Sequence, residues 1–102
     1  MYARIGRGRF RTEDSAAIIQ IAQESLETYR RAQGFRGVTF LYDRAGGWGF
    51  VVSQWATRAD AEATVELLRP TTERFAAYAA DTAQPVPDVS GPLPLFEIVA
   101  QA

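Results

Sequence analysis

The spacing of hydrophobic and polar residues in the first third of the chain predicts a strand followed by a helix. Residues 1–11, MYARIGRGRFR, follow a period of two, which is typical of a strand. Residues 12–34 carry an apolar stripe at three- and four-residue steps, which indicates a helix that Thr12 or Asp14 caps and Gly34 ends. The stripe consists of Ile18, Ala22, Leu26 (or Ser25) and Tyr29.

The rest of the chain predicts a hairpin, two helices and a last strand. GFRGVTFLYDR and WGFVVSQWA are rich in β-branched and aromatic residues, and the glycines between them indicate an antiparallel turn. Thr57 is expected to cap a second helix that Pro70 ends, and residues 73–81 predict a short third helix. The proline-rich residues 83–94 predict an extended connection, and a strand is expected from Leu95.

The predicted order is β-α-β-β-α-(α)-β, which is typical of an α+β, ferredoxin-like fold with an antiparallel sheet and helices on one face. With 102 residues, the chain is long enough for one domain, which we assign to residues 1–102.

The second hairpin strand predicts a homodimer. Trp48, Phe50 and Val52 point to one face of the sheet, and Val51 and Trp55 point to the other, so both faces are apolar. Helices can cover only one of these faces. An identical sheet across a two-fold axis is the simplest cover for the open sheet face.

Composition narrows the chemistry, because the chain contains no Cys, His, Lys or Asn. Its side chains therefore lack the usual ligands for zinc, copper, iron–sulfur clusters or haem, and we expect no metal and no cofactor. Hydrolase triads and Schiff-base chemistry are also excluded. The net charge of −1 argues against binding to nucleic acid, and the lack of a long apolar run argues against a membrane as partner. We therefore expect a cytoplasmic protein.

Several short motifs resemble those of the dimeric α/β-barrel superfamily, and within it the antibiotic biosynthesis monooxygenase-like proteins. The motifs are Gly34-Phe35, Trp55-Ala56-Thr57 followed by Ala61-Glu62-Ala63, and RFAAY at residues 74–78. This resemblance implies a dimeric α/β barrel. It also implies an activity among several that the superfamily shows, including cofactor-free oxidation of phenolic intermediates, haem degradation and polyketide cyclisation. The absence of His argues against the last two, and the Asn that accompanies the strand Trp in quinone-forming members is missing.

The resemblance, together with the hairpin register, selects the candidate site. A turn of two residues or of four gives the same register, in which Phe40 lies opposite Val51 and Tyr42 opposite Gly49. If Trp55 matches the superfamily's strand Trp, its face lies under the helices, where a cavity would bind a planar aromatic molecule. The ligand-binding candidates are Trp55, Tyr42, Phe40 and Ser53 on the sheet, with Phe75 and Tyr78 on the third helix. No catalytic residue is assigned.

Two interpretations of these rings stay open. They form either a ligand cavity, in a possible cofactor-independent monooxygenase of secondary metabolism, or merely a packed core, in a non-catalytic binding or dimerisation module. The glycines around Trp48 are turn residues rather than a phosphate loop, because they join two strands. Gly6 and Gly8 leave space for a ligand or mark a bulge.

Charged residues of the first and last strands have two interpretations each. The arginines of RIGRGRFR predict a row of salt bridges at the sheet rim, or an anchor for an anionic ligand. Glu97, within the last strand, is a candidate buried acid or a partner for one of these arginines.

Overall fold

A computed structural model describes residues 1–80 and 95–102 and confirms the ferredoxin-like α+β fold. The strands are β1 (Tyr2–Arg9), β2 (Phe35–Tyr42), β3 (Trp48–Trp55) and β4 (Phe96–Glu97). A 3-10 turn at Thr12–Asp14 leads into α1 (Ser15–Arg31), and α2 (Arg58–Leu67) and α3 (Arg69–Ala76) follow β3. The strands form one antiparallel sheet in the order β2-β3-β1-β4, as the split βαβ pattern predicts.

The hairpin register is confirmed. Phe40 pairs with Val51, and Tyr42 pairs with Gly49. The loop has four residues, because the amide of Asp43 donates to the carbonyl of Trp48 at 2.8 Å. Gly47 has φ +78°, a left-handed conformation that glycine adopts without steric cost, so this glycine belongs to the turn as predicted.

The two faces of the sheet have different surroundings. Trp55 and Ser53 are buried beneath the helices, which confirms the face predicted for them. On the other face, apolar side chains of three strands are exposed to solvent. These are Ile5 (48% exposed), Leu41 (52%), Trp48 (42%) and Phe50 (41%), and we call them the open-face residues.

The buried stripe of α1 differs in part from the prediction. Ile18, Ser25 and Tyr29 are buried as expected, but Ile21 is buried where Ala22 was predicted. The helix is therefore rotated relative to the prediction, so that Ala22 and Leu26 are only half-buried and face a cavity, with Ala22 at the edge of the packed core. Neither predicted cap donates or accepts a side-chain capping bond at the start of the helix.

The second helix begins as predicted, but the third both begins and ends earlier, so Tyr78, predicted to be on this helix, lies in the turn after it. The Thr57 side chain accepts a hydrogen bond from the amide of Asp60 at 3.1 Å, which confirms the cap. Pro70 lies in the first turn of α3, whose first residue is Arg69, rather than ending the preceding helix. Proline is tolerated there because the first turn of a helix has no intrahelical partner for its N–H.

The carboxyl-terminal strand is shorter than predicted. β4 consists of Phe96 and Glu97 alone, which pair with Ala3 and Tyr2. Glu97 is exposed, so the interpretation as a buried acid is wrong. The extended connection predicted for residues 83–94 lies outside the described residues. No helix in the described ranges is both long enough and apolar enough to span a membrane.

Candidate functional site

A cavity of about 420 Å³ lies between α1 and the sheet. Its volume is within the range of small-molecule pockets in proteins, about 300–1,000 Å³. Most of its wall is apolar and aromatic. The principal side chains are Ile18, Ile19, Ala22 and Leu26 from α1, Val38, Phe40, Tyr42 and Val51 from the hairpin, and Phe10 and Phe75.

Glycines on the helix-facing side of the sheet give this cavity its space. Gly6 of β1 pairs with Val51, and Gly49 of β3 pairs with Tyr42 on one side and Gly8 on the other. Both Gly6 and Gly49 line the cavity. Gly6 and Gly8 had been interpreted either as leaving space for a ligand or as marking a bulge. The β1–β3 register runs without a shift, so these two strands contain no bulge.

Gly49 also has a packing role beside the cavity. A β-carbon at this position would lie 3.0 Å from Cε2 of Phe10, closer than side chains ordinarily pack. The ring of Phe10 therefore occupies the volume that a larger residue would take, and its centroid is 5.7 Å from that of Phe75. Phe10 thus fixes one end of the cavity between the sheet and α3.

Three of the six predicted ligand-binding residues line the cavity, and three do not. Phe40, Tyr42 and Phe75 are in its wall. Trp55 and Ser53 lie deeper under the helices, outside this wall. Tyr78 packs against the cluster of Phe10 and Phe75 and does not line the cavity.

Trp55 is the centre of a packed aromatic cluster. Its side chain is wholly buried, with 0% exposed, and its indole N–H donates to the hydroxyl of Ser53 at 2.9 Å. The rings of Tyr29 and Phe35 lie 6.3 Å and 5.8 Å from it, centroid to centroid. Its one polar atom is satisfied within the core, as is usual for a buried tryptophan.

The polar atoms beside the cavity form a short chain of hydroxyls. The Tyr42 hydroxyl lies 3.0 Å from Oγ of Ser15, at the start of α1. Oγ of Ser15 also lies 2.8 Å from the carbonyl oxygen of Thr12, to which it donates. Gln23 of α1 adds an amide to the lining.

A second polar group lies beneath α2, and the sequence prediction missed it. Arg4 reaches from β1 to donate to the hydroxyl of Thr64, which is itself buried. Burial lowers the pKa of Arg4, and burial raises the pKa of Tyr29 to about 12, against a smaller opposing effect of the Arg4 charge. Arg4 is one of the arginines for which a rim position was predicted, and no signal in the sequence indicated that α2 would cover it.

The predicted rim row of arginine salt bridges is largely absent from the part of the chain that the structure describes. Only Arg11 of this segment pairs with an acid there, with Asp14 at 2.8 Å. Arg9 instead lies over the Trp48 ring, with its guanidinium carbon 5.7 Å from the centroid. Within residues 1–80 and 95–102, no three acidic side chains are grouped closely enough to hold a metal ion.

Comparison with known proteins identifies the fold. No protein-family model and no curated protein sequence matches the chain. Among solved structures, an antibiotic biosynthesis monooxygenase is 16% identical, with a TM-score of 0.73 over 98% of this chain and 100% of that one.

Two further solved structures extend the comparison. SnoaB, a cofactor-independent oxygenase from Streptomyces nogalater, solved as the mutant N63A, is 12% identical, with a TM-score of 0.71 over 98% and 94% of the two chains. A protein of unknown function from Nitrosomonas europaea is 14% identical, with a TM-score of 0.76 over 99% and 91%. At these identities the likeness is one of fold, and it is the fold that the sequence motifs predicted.

Proposed function

Because this chain shares the fold of antibiotic biosynthesis monooxygenase-like proteins and holds an apolar cavity, we propose that it binds a planar aromatic metabolite between α1 and the sheet. The observation that carries the proposal is the cavity itself, about 420 Å³ with aromatic walls. Phe40 and Phe75 offer ring faces to such a ligand, and Tyr42 offers a phenol. Trp55, Ser53 and Tyr78 have a supporting role, because they pack behind the wall.

The assembly that we propose is a homodimer through the open-face residues. A monomer would leave Ile5, Leu41, Trp48 and Phe50 in water, each more than two-fifths exposed. A second copy of the same face would bury them around a two-fold axis, which is the commonest symmetry of small oligomers. Arg9 over Trp48 places a charge at one end of this face, where it would remain at the rim of the interface.

The reaction that the fold suggests is cofactor-free oxidation of a phenol to a quinone, which SnoaB's description as a cofactor-independent oxygenase supports by analogy. In this reaction one oxygen atom of O₂ enters the ring and the other leaves as water. All four electrons come from the substrate, so no external reductant is needed. The protein's part would be to bind the ring, orient its hydroxyl at Tyr42 and exclude water.

Non-catalytic binding is the second candidate, and two observations favour it. The chain has no Asn to accompany its strand tryptophan, and the indole N–H of Trp55 is already bonded to Ser53. A binding protein with the same cavity would retain a metabolite unchanged.

Titration of the dimer with 1-naphthol tests both candidates. We expect saturable binding of one ligand per subunit, measured by calorimetry. Oxygen uptake with formation of 1,4-naphthoquinone would support the oxygenase, whereas binding without oxygen uptake would support the binding module. Absence of binding by 1-naphthol would contradict the proposed aromatic site.

A further inference from the structure

We propose that Tyr42 presents a hydrogen-bond acceptor to the cavity, so that the ligand carries a hydroxyl or amine donor at this position rather than a carbonyl or an ether. This inference rests on the proposed function, since it specifies the chemical group of the aromatic ligand. It follows from the direction of two hydrogen bonds in the chain Thr12–Ser15–Tyr42.

The first bond fixes the hydroxyl proton of Ser15. Its Oγ lies 2.8 Å from the carbonyl oxygen of Thr12. A carbonyl oxygen can only accept, and two oxygens at this distance repel each other unless a proton lies between them. The proton is therefore that of Ser15.

The second bond then has only one possible direction. Oγ of Ser15 lies 3.0 Å from the hydroxyl oxygen of Tyr42, and the single proton of Ser15 is already used. Tyr42 must donate to Ser15. With its proton committed, the phenol oxygen has only lone pairs left to offer to a ligand, and it therefore accepts.

The position of the Tyr42 ring is fixed by its neighbours. It lies opposite Gly49 in the hairpin, and its centroid is 6.5 Å from that of Phe10. Gln23 of α1 also lines the cavity, but its amide both donates and accepts and so does not discriminate between ligands. Arg7 and Thr39 belong to the lining too, but strand alternation places their side chains on the opposite face of the sheet. The discrimination comes from Tyr42.

Two probes with the same ring test this direction. 1-Naphthol carries a donor, and 1-methoxynaphthalene carries only an acceptor. In the unaltered dimer we expect 1-naphthol to bind more tightly by about tenfold, the equivalent of one hydrogen bond. Calorimetric titration of each probe measures the ratio of the two dissociation constants.

Two substitutions should change this ratio in different ways. Ser15→Ala frees the Tyr42 proton to donate to the ether, so we expect 1-methoxynaphthalene to bind more tightly and the ratio to approach one. Tyr42→Phe removes the acceptor, so we expect 1-naphthol to bind more weakly and 1-methoxynaphthalene to be unchanged.

Matched controls separate these effects from general disturbance. Ser25→Ala removes a hydroxyl that donates to the carbonyl of Ala22, on the same helix with the same spacing, but Ser25 is not part of the lining of this cavity. Tyr78→Phe removes a phenol near the cavity that is outside its wall. Both controls should keep the tenfold preference.

The outcomes distinguish the two proposals. Equal binding of both probes, or a ratio that Ser15→Ala leaves unchanged, would overturn the acceptor role of Tyr42 while the aromatic site stands. Failure of both probes to bind would overturn the proposed function, and this inference with it.

Discussion

The indole N–H of Trp55 donates to the hydroxyl of Ser53, two residues earlier on the same face of β3, and both side chains are buried. This bond satisfies the one polar atom of the largest side chain in the core. It makes Ser53 a structural partner of Trp55. Both were expected to line the cavity, but neither does, and Trp55 belongs to a cluster that packs behind the wall.

Ser53→Ala should therefore reduce stability more than ligand binding. The indole N–H would be left buried without a partner, which costs about 1–3 kcal/mol in the free energy of unfolding. Urea denaturation measures this loss. Ser25→Ala is the control, because it also removes a buried hydroxyl but leaves no indole N–H without a partner. Equal losses in the two variants would contradict the role given to the bond.

Gly6→Val should abolish binding of 1-naphthol without unfolding the protein. Gly6 lies in a regular strand without a positive φ, and valine is favoured in strands, so the backbone can accept it. Its side chain would enter the cavity, since Gly6 lines it. Calorimetry measures binding, and circular dichroism measures the fold.

Gly37→Val is the matched control for this substitution. Gly37 is a strand glycine outside the cavity, and a β-carbon there would lie 3.7 Å from the side chain of Gln54, an ordinary contact. It should keep the affinity for 1-naphthol. Undiminished binding by Gly6→Val would place the ligand somewhere else.

Ile5→Arg should convert the dimer to a monomer. Ile5 is 48% exposed on the open face, on β1, which pairs with β3 at this position. In the proposed dimer each subunit would bury a new charge in the interface without a partner. Sedimentation velocity at micromolar concentration measures the change, and Gln20→Arg, on an exposed position of α1, should remain dimeric. A wild-type protein that sediments as a monomer would refute the dimer itself.

The stability of the protein should fall as the pH rises from about 10 to about 12. Burial raises the pKa of Tyr29 from its ordinary value of 10.0 to about 12, so the folded protein keeps a proton that the unfolded chain has lost. Between these two pH values unfolding releases a proton, so a higher pH favours the unfolded chain. The contribution of Tyr29 is fully present below pH 10 and is lost as the pH passes 12.

Comparison with Tyr29→Phe isolates this effect. Urea denaturation of both proteins at about pH 9 and about pH 12 should show a smaller loss of unfolding free energy in the variant, by an amount on the order of 2 kcal/mol. Identical pH dependence of the two proteins would mean that Tyr29 loses its proton as readily in the folded protein as in the unfolded chain.

The sheet could be predicted from the sequence, whereas the cavity could not. Register follows from the period of two and from loop length, so the pairing of Tyr42 with Gly49 was determined before any packing was known. The cavity, in contrast, depends on glycines, which have no side chain to fill the space, and on the rotation of α1 about its axis. Gly6 had two possible roles in the sequence, and the rotation of α1 that turns Ala22 and Leu26 toward the space has no local signal.

The sequence also could not show whether Trp55 and Phe40 belong to the packed core or to the cavity wall. Both are aromatic residues on the same face of adjacent strands, and both positions favour a buried ring equally. They are separated by three-dimensional packing, in which Tyr29 and Phe35 enclose Trp55 while Phe40 also borders open space.

Phe40 belongs to both apolar clusters, and it is the only residue they share in the part of the chain that the structure describes. Its ring is 6.0 Å from Tyr29 on one side and 6.2 Å from Phe75 on the other. The sheet side of the cavity also touches the Trp55 cluster through Val38 and Val51, whereas Ala22 on the α1 side packs only against the cluster of Phe10 and Phe75. Such a fold can acquire new ligands during evolution through changes on its α1 side while the packing around Trp55 is kept.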